Sequence, residues 1–162
     1  MITLHARPLT AEAFRPFGDV VEEPAADGDA RPDRRFDDLA GLDAGEDGVP
    51  MLSLLRMRST IALPFRPAKL ERHPLGSQAF VPCAPLPFLV LVASGGDRPD
   101  LATLTAFLTD GRQGVNYRKG VWHGPMSPLV AGTLVVVDRK GPGVNTEFFH
   151  LDEHPVTVLP AV

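Results

Sequence analysis

Cysteine is nearly absent from this chain, which has Cys83 as its single example in 162 residues. One cysteine excludes an internal disulfide framework and fits a reducing compartment. No pattern typical of a cysteine nucleophile surrounds it, so we expect Cys83 to be a small buried apolar residue.

Long apolar runs and a strong charge of one sign are also lacking. The longest apolar run, residues 86–93, is far shorter than the roughly 20 residues that span a bilayer, and the N-terminus lacks a basic-then-apolar signal pattern. The formal net charge is -4, and the 16 basic residues are scattered rather than gathered into a stripe. We therefore expect a cytoplasmic protein that binds a small molecule, and neither nucleic acid nor a membrane.

What is present is ordinary globular composition, with 44% hydrophobic and 22% charged residues. The length suits one domain over residues 1–162. One short helix is expected near the N-terminus, with Thr10 as its N-cap, Phe14 pointing inward and Pro16 stopping it. Residues 22–48 hold ten acidic residues against three arginines. This composition predicts a long surface excursion that could hold a helical turn.

Short apolar runs separated by proline and glycine fill the rest of the chain. Such runs have the length and spacing of strands, and no crossover helix is needed between them. The run 101–108 could also be a short helix, but threonines alternating with apolar residues favour a strand. The pattern predicts a mainly β fold, an antiparallel barrel or sandwich with one or two short helices. The predicted strands are residues 51–57, 78–81, 86–93, 101–108, 133–138, 146–151 and 156–159.

Two of the five histidines lie among other polar residues beside strand signals. On an extended backbone, Glu71 and His73 point to the same face and Arg72 to the opposite one. Gln78 returns on the next strand after a Pro-Leu-Gly turn. His123 ends a separate stretch, Arg-Lys-Gly-Val-Trp-His.

These stretches resemble the two cupin motifs, with Glu71 in place of one histidine, Gln78 in place of the usual glutamate and Arg118 in place of a proline. The resemblance implies a cupin-like antiparallel β-barrel of the jelly-roll type. It also implies a four-donor site that could hold a divalent metal such as Ni or Mn. The metal donors would be Glu71, His73, Gln78 and His123.

A closer resemblance covers almost the whole chain. Residues 71–82, 96–101 and 114–125 look like signature stretches of the ureidoglycolate lyases, although Gly124 stands where a second histidine often follows. This resemblance implies a homodimer that cleaves ureidoglycolate to glyoxylate and urea in allantoin breakdown, without an organic cofactor. Two alternatives are another metal-dependent cupin enzyme acting on a small hydroxy or keto acid, and a cupin that binds a small molecule without catalysis.

The reaction would need a base for the substrate's hydroxyl and a donor for the leaving nitrogen. His73 or His123 could be the base because imidazole titrates near neutral pH, with Glu71 orienting or sharing the proton. The substrate carboxylate calls for a cation, and the ureido group for polar partners. The expected binding residues are the cations Arg118, Lys119 and Arg139 and the polar residues Asn116 and Tyr117.

Overall fold

Strands form most of the regular secondary structure in the described residues. The computed structural model describes residues 1–26 and 31–161. It contains one α-helix, α1 (Ala11–Phe14), and a short 3-10 helix (Leu101–Thr103). The strands are β1 (Ile2–His5), β2 (Arg7–Pro8), β3 (Gly18–Val21), β4 (Val49–Met57), β5 (Lys69–Arg72), β6 (Gln78–Pro82), β7 (Phe88–Ala93), β8 (Thr105–Leu108), β9 (Gly114–Tyr117), β10 (Trp122–His123), β11 (Ser127–Pro128), β12 (Gly132–Lys140), β13 (Glu147–His150) and β14 (Val156–Leu159).

The strands pair into sheets of seven, five and two strands. The seven-stranded sheet runs β13-β5-β10-β7-β8-β2, with β11 also paired to β7, and the five-stranded sheet runs β3-β9-β6-β12-β4. Strands β1 and β14 form a separate parallel pair. The prediction of a mainly β fold is confirmed. Within the described residues the two large sheets are not joined by backbone pairing, so they form a cupin-like sandwich rather than a closed barrel.

Two hydrophobic cores lie on opposite faces of the seven-stranded sheet. Alternation along β7 sends Val90 and Val92 into the space between the two large sheets, and Leu89 and Leu91 to the outer face. The first core also receives side chains from the five-stranded sheet, and the second is covered by β1 and β14. Each such side chain stabilises the fold by about 1.5–3 kcal/mol when fully buried, so the inner core holds the two large sheets together.

The N-terminal helix has the predicted form. The Thr10 side chain accepts a hydrogen bond from the Ala13 amide at 3.2 Å, and Phe14 is fully buried. Its ring packs edge-on against Phe107 and Tyr117, with ring centroids 5.9 and 6.0 Å away. The helix thus closes one end of the inner core.

Several sequence predictions need correction. The run 101–108 begins as a 3-10 helix and becomes a strand only from Thr105, because the Asp100 side chain caps the Ala102 amide at 3.0 Å. Cys83 is exposed rather than buried, since it lies just beyond the end of β6.

The acidic excursion contains no helix or strand in the parts that are described, 22–26 and 31–48; its residues 27–30 lie outside them. Its last part is tied to the ends of the five-stranded sheet. The Gly41 amide donates to Asp19, and the Asp43 amide donates to the Ser77 hydroxyl at 2.8 Å. In the described parts of the chain, none of the helices has the length and apolar character needed to cross a membrane.

Candidate active site

Four polar side chains meet at one end of the gap between the two large sheets, namely those of Glu71, His73, Gln78 and His123. In the seven-stranded sheet His123 of β10 pairs directly with Glu71 of β5. In the five-stranded sheet Gln78 of β6 pairs directly with Tyr117 of β9. Directly opposed residues point to the same face of a sheet, so each pair presents its side chains together.

His73 bridges the two sheets because it follows β5 and precedes the turn into β6. Its carbonyl accepts a hydrogen bond from the Gly120 amide at 2.9 Å, which fixes the backbone against the loop between β9 and β10. The His73 Nε2 lies 3.1 Å from Gln78 Oε1. The His73 and His123 rings are tilted to each other, with centroids 5.3 Å apart.

The structure brings together all four residues proposed from the cupin-like motifs. One ligand atom from each of Glu71, His73 and His123 lies within 4.8 Å of the others. Gln78 joins this group through its contact with His73. The two-residue spacing of Glu71 and His73 and the register between β5 and β10 together produce this convergence.

Backbone carbonyls orient both imidazoles. His73 Nδ1 donates to the Asn145 carbonyl at 2.6 Å, and His123 Nδ1 donates to the Val121 carbonyl at 3.0 Å. A carbonyl can only accept, so each Nδ1 carries a proton and each Nε2 faces the site. His123 Nε2 is buried without a hydrogen-bond partner among the described residues and lies 3.7 Å from Glu71 Oε1.

Burial sets the charge state of the site. Loss of solvation lowers the pKa of His123 to about 3, against a smaller opposing effect of its bond to Val121, so this imidazole is neutral at neutral pH. Loss of solvation raises the pKa of Glu71, partly offset by its electrostatic interactions with His73 and Lys69. Tyr117 stacks flat on His123, with ring centroids 4.1 Å apart, and burial raises the pKa of its hydroxyl.

The donor set is chemically suited to a divalent metal. Two imidazole Nε2 atoms, a carboxylate and an amide oxygen match what first-row metals of the zinc and nickel group accept. A hydrogen bond from Nδ1 to a backbone carbonyl is the usual outer support of a metal-binding histidine. The buried, unpartnered Nε2 of His123 is the specific feature that such an ion would satisfy.

The three predicted cations bind backbone carbonyls or loop side chains. Arg118 donates to the Arg15 carbonyl at 3.0 Å, and Lys119 pairs with Asp43 at 3.4 Å. Arg139 donates to carbonyl oxygens of two loops, at 2.9 and 2.8 Å. Lys119 and Arg139 line a cavity of about 450 Å³ whose wall includes the turn after His73.

Asn116 lies on the other face of β9 from Tyr117. Its side-chain amide donates to Asp19 at 3.0 Å and to the Gly41 carbonyl at 3.1 Å, and its side chain is fully buried. In this position it ties the end of the acidic excursion to the strand that carries Tyr117.

Sequence reasoning missed the loop between β12 and β13. Asn145 holds the His73 ring through its carbonyl, and the Thr146 hydroxyl lies 3.4 Å from the same Nδ1. No local signal connects positions 72 residues apart. Contacts made through a main-chain carbonyl place no demand on residue type, so the sequence pattern could not have revealed them.

This arrangement supports proton transfer and chelation rather than covalent catalysis. It offers imidazole nitrogens and a carboxylate, and in the described chain the single cysteine lies elsewhere, beyond β6. The fold and site together define a small cupin-like enzyme suited to acid-base chemistry on a small molecule.

Comparison with known proteins identifies the family. The family model described as ureidoglycolate lyase matches residues 1–159, so the chain belongs to the ureidoglycolate lyase family. A protein of Burkholderia mallei named ureidoglycolate lyase is 48% identical over 158 residues, covering 94% of this chain and 92% of the relative. Proteins of the same name from Pseudomonas aeruginosa and Pseudomonas syringae are 44% and 42% identical, and each covers at least 94% of both chains.

Proposed function

We propose that this protein cleaves ureidoglycolate to glyoxylate and urea, as the names of its relatives indicate. Ureidoglycolate is a hemiaminal whose central carbon bears a hydroxyl, a ureido nitrogen and a carboxylate. Cleavage moves the hydroxyl proton away as the carbonyl forms, breaks the carbon–nitrogen bond and protonates the leaving nitrogen. The observation that carries the proposal is the buried, unpartnered Nε2 of His123 facing Glu71.

Glu71 is the proposed base. Burial raises the pKa of its carboxyl, and a carboxylate with a raised pKa holds a proton more strongly. It shares the site with the neutral His123, whose Nε2 lone pair can accept a hydrogen bond from a ureido N–H of the substrate. His123 would thus orient the ureido group while Glu71 removes the hydroxyl proton.

His73 is the proposed donor to the leaving nitrogen. Oxygen acceptors lie at both of its ring nitrogens, the Asn145 carbonyl at 2.6 Å and Gln78 Oε1 at 3.1 Å. In its imidazolium form His73 would donate at both nitrogens. The Nε2 proton would pass to the ureido nitrogen. The proton that Glu71 took from the hydroxyl would then pass to His73, so that both side chains return to their starting forms.

A divalent metal such as Ni or Mn is the alternative form of the proposal, because a His73 Nε2 bound to a metal carries no proton to donate. Glu71, His73, Gln78 and His123 would hold it, the substrate hydroxyl and carboxylate would bind it, and its charge would lower the pKa of that hydroxyl. Binding of the substrate carboxylate by Arg118, Lys119 or Arg139, and of the ureido group by Asn116 or Tyr117, stays a prediction.

We also propose that the protein is a cytoplasmic homodimer. Leu52 and Leu54 are 74% and 73% exposed on the outward face of β4, which supports a contact with a second copy. The exposed, unpaired Cys83 supports a reducing compartment.

The test follows glyoxylate release from racemic ureidoglycolate by the purified protein. Parallel samples are treated with a chelator, and then supplied with Ni or Mn. Release faster than spontaneous decay supports the lyase, and its absence in every sample would refute it. Activity that a chelator removes and a metal restores supports the metal site, whereas full activity after chelation supports proton transfer by the side chains alone.

A further inference from the structure

The His73 ring is held by a segment distant in sequence. Its Nδ1 donates to the Asn145 carbonyl at 2.6 Å, which is shorter than the 3.1 Å from His73 Nε2 to Gln78 and the 3.0 Å from His123 Nδ1 to Val121. The Thr146 hydroxyl lies 3.4 Å from the same nitrogen. This contact decides which ring nitrogen faces the gap between the sheets.

The side chain of Asn145 makes a second contact, to the turn after His73. Its Oδ1 accepts a hydrogen bond from the Leu75 amide at 2.8 Å. The turn joins β5, which carries Glu71, to β6, which begins with Gln78. One residue therefore holds both the ring of His73 and the backbone two residues later.

The next residues extend the same attachment along β5. Glu147 pairs with Arg72 in the β13–β5 register, and its carboxylate accepts a hydrogen bond from Arg72 Nε at 2.6 Å. The contacts of residues 145–147 thus run antiparallel, with Asn145 at residues 75 and 73, Thr146 at residue 73 and Glu147 at residue 72. Displacement of Asn145 would move His73 relative to Glu71, because the chain between these contacts is short.

We propose that Asn145 is a positioning residue for the reaction, holding His73 so that its Nε2 faces Glu71 and His123. The catalytic part of this inference rests on the proposed function. The Asn145 side chain acts through the Leu75 amide, which keeps the turn and the Asn145 carbonyl in fixed relation to the imidazole. A shift of about 1 Å in a reacting group can lower turnover by about a hundredfold, so a small change in the turn has a large effect.

The experiment compares Asn145→Ala with Asn145→Asp. Alanine removes the oxygen that accepts from Leu75, and aspartate keeps it. Val144→Ala is the matched control, because Val144 is an exposed neighbour in the same loop. Measurements are kcat and KM for ureidoglycolate, the thermal midpoint, and imidazole nitrogen NMR spectra that report which His73 nitrogen carries the proton.

We expect Asn145→Ala to lower kcat by about tenfold to a hundredfold with a small change in KM, as for other residues that orient site histidines. In the neutral His73 ring of this variant the proton should exchange between the two nitrogens, whereas in the neutral ring of the wild type it stays on Nδ1. Asn145→Asp should recover most of kcat and the wild-type ring spectrum, and Val144→Ala should match wild type throughout.

Wild-type kcat and an unchanged His73 spectrum in Asn145→Ala would overturn the proposal, as would a lower thermal midpoint with normal kcat. If the wild type does not turn over ureidoglycolate, the proposed function fails, but the NMR comparison still decides whether Asn145 positions His73.

Discussion

His123 shows how burial decides what a side chain can do. It is 1% exposed, stacked on Tyr117, and tied through Nδ1 to the Val121 carbonyl. Loss of solvation lowers its pKa to about 3, so it stays neutral and presents a lone pair to Glu71. A more exposed imidazole would spend part of its time protonated at neutral pH and would lose that lone pair.

The paired site histidines give the first prediction. His73→Ala and His123→Ala should each lower kcat for ureidoglycolate by at least about tenfold, because each removes a group that holds a proton or a ligand position. Glyoxylate release measures kcat, and circular dichroism checks that the fold is kept. The exposed His150→Ala is the control. Near-normal turnover in either site variant would show that the reacting centre lies elsewhere.

At the scale of elements, Arg72 fastens β5 to its neighbours from the outer face. Its side chain is 11% exposed, and its guanidinium pairs with Glu147 of β13 and with Asp97 and also donates to the Gly96 carbonyl. It lies over the Trp122 ring, 5.1 Å from its centroid. Strand β5 therefore carries the Arg72 contacts on one face and Glu71 on the other.

Arg72→Ala should lower the free energy of unfolding by about 1.5–3 kcal/mol, the scale for hydrogen bonds to a charged group. Guanidinium chloride is the suitable denaturant because urea is the proposed product. Arg35→Ala removes an exposed pair with Asp37 and should cost less than about 1 kcal/mol. Equal effects of the two substitutions would contradict a special role for Arg72.

Periodicity located several strands well and missed the shortest ones. The strand predicted at 156–159 has the observed bounds, and those at 51–57 and 133–138 are each extended by pairing between β4 and β12. Strands of two residues such as β2, β10 and β11 have no period to detect. They exist because a longer neighbour supplies the hydrogen bonds, which is a tertiary effect.

The same distinction applies to the candidate site. Alternation along β5 predicted that Glu71 and His73 share a face, and the structure places them together. The outward direction of Arg72 follows from the same rule. The contact of Asn145 with His73 depends on how a distant loop folds back, which residue types alone do not determine.

For the whole molecule, the outward face of the five-stranded sheet is the surface expected to pair. Val135 and Val137 of β12 lie directly opposite Leu54 and Leu52 of β4, so these four apolar side chains form one patch. Exposed apolar patches of this kind mark interaction surfaces.

Leu52→Glu combined with Leu54→Glu should convert the proposed dimer to a monomer, because it places charge in an apolar contact. Light scattering coupled to gel filtration measures the mass. Val144→Glu is the control, since Val144 is 78% exposed in a loop outside this patch. A wild-type mass equal to one chain would contradict the dimer.

The central claim is that the whole protein is a lyase whose chemistry occurs between the two large sheets. The most direct measurement is the time course of urea, glyoxylate and ammonia from ureidoglycolate, with wild type beside the His73→Ala, His123→Ala double variant. We predict equal amounts of urea and glyoxylate from wild type, no ammonia, and only spontaneous decay in the folded double variant. Release of ammonia, or wild-type rates in the double variant, would contradict the account.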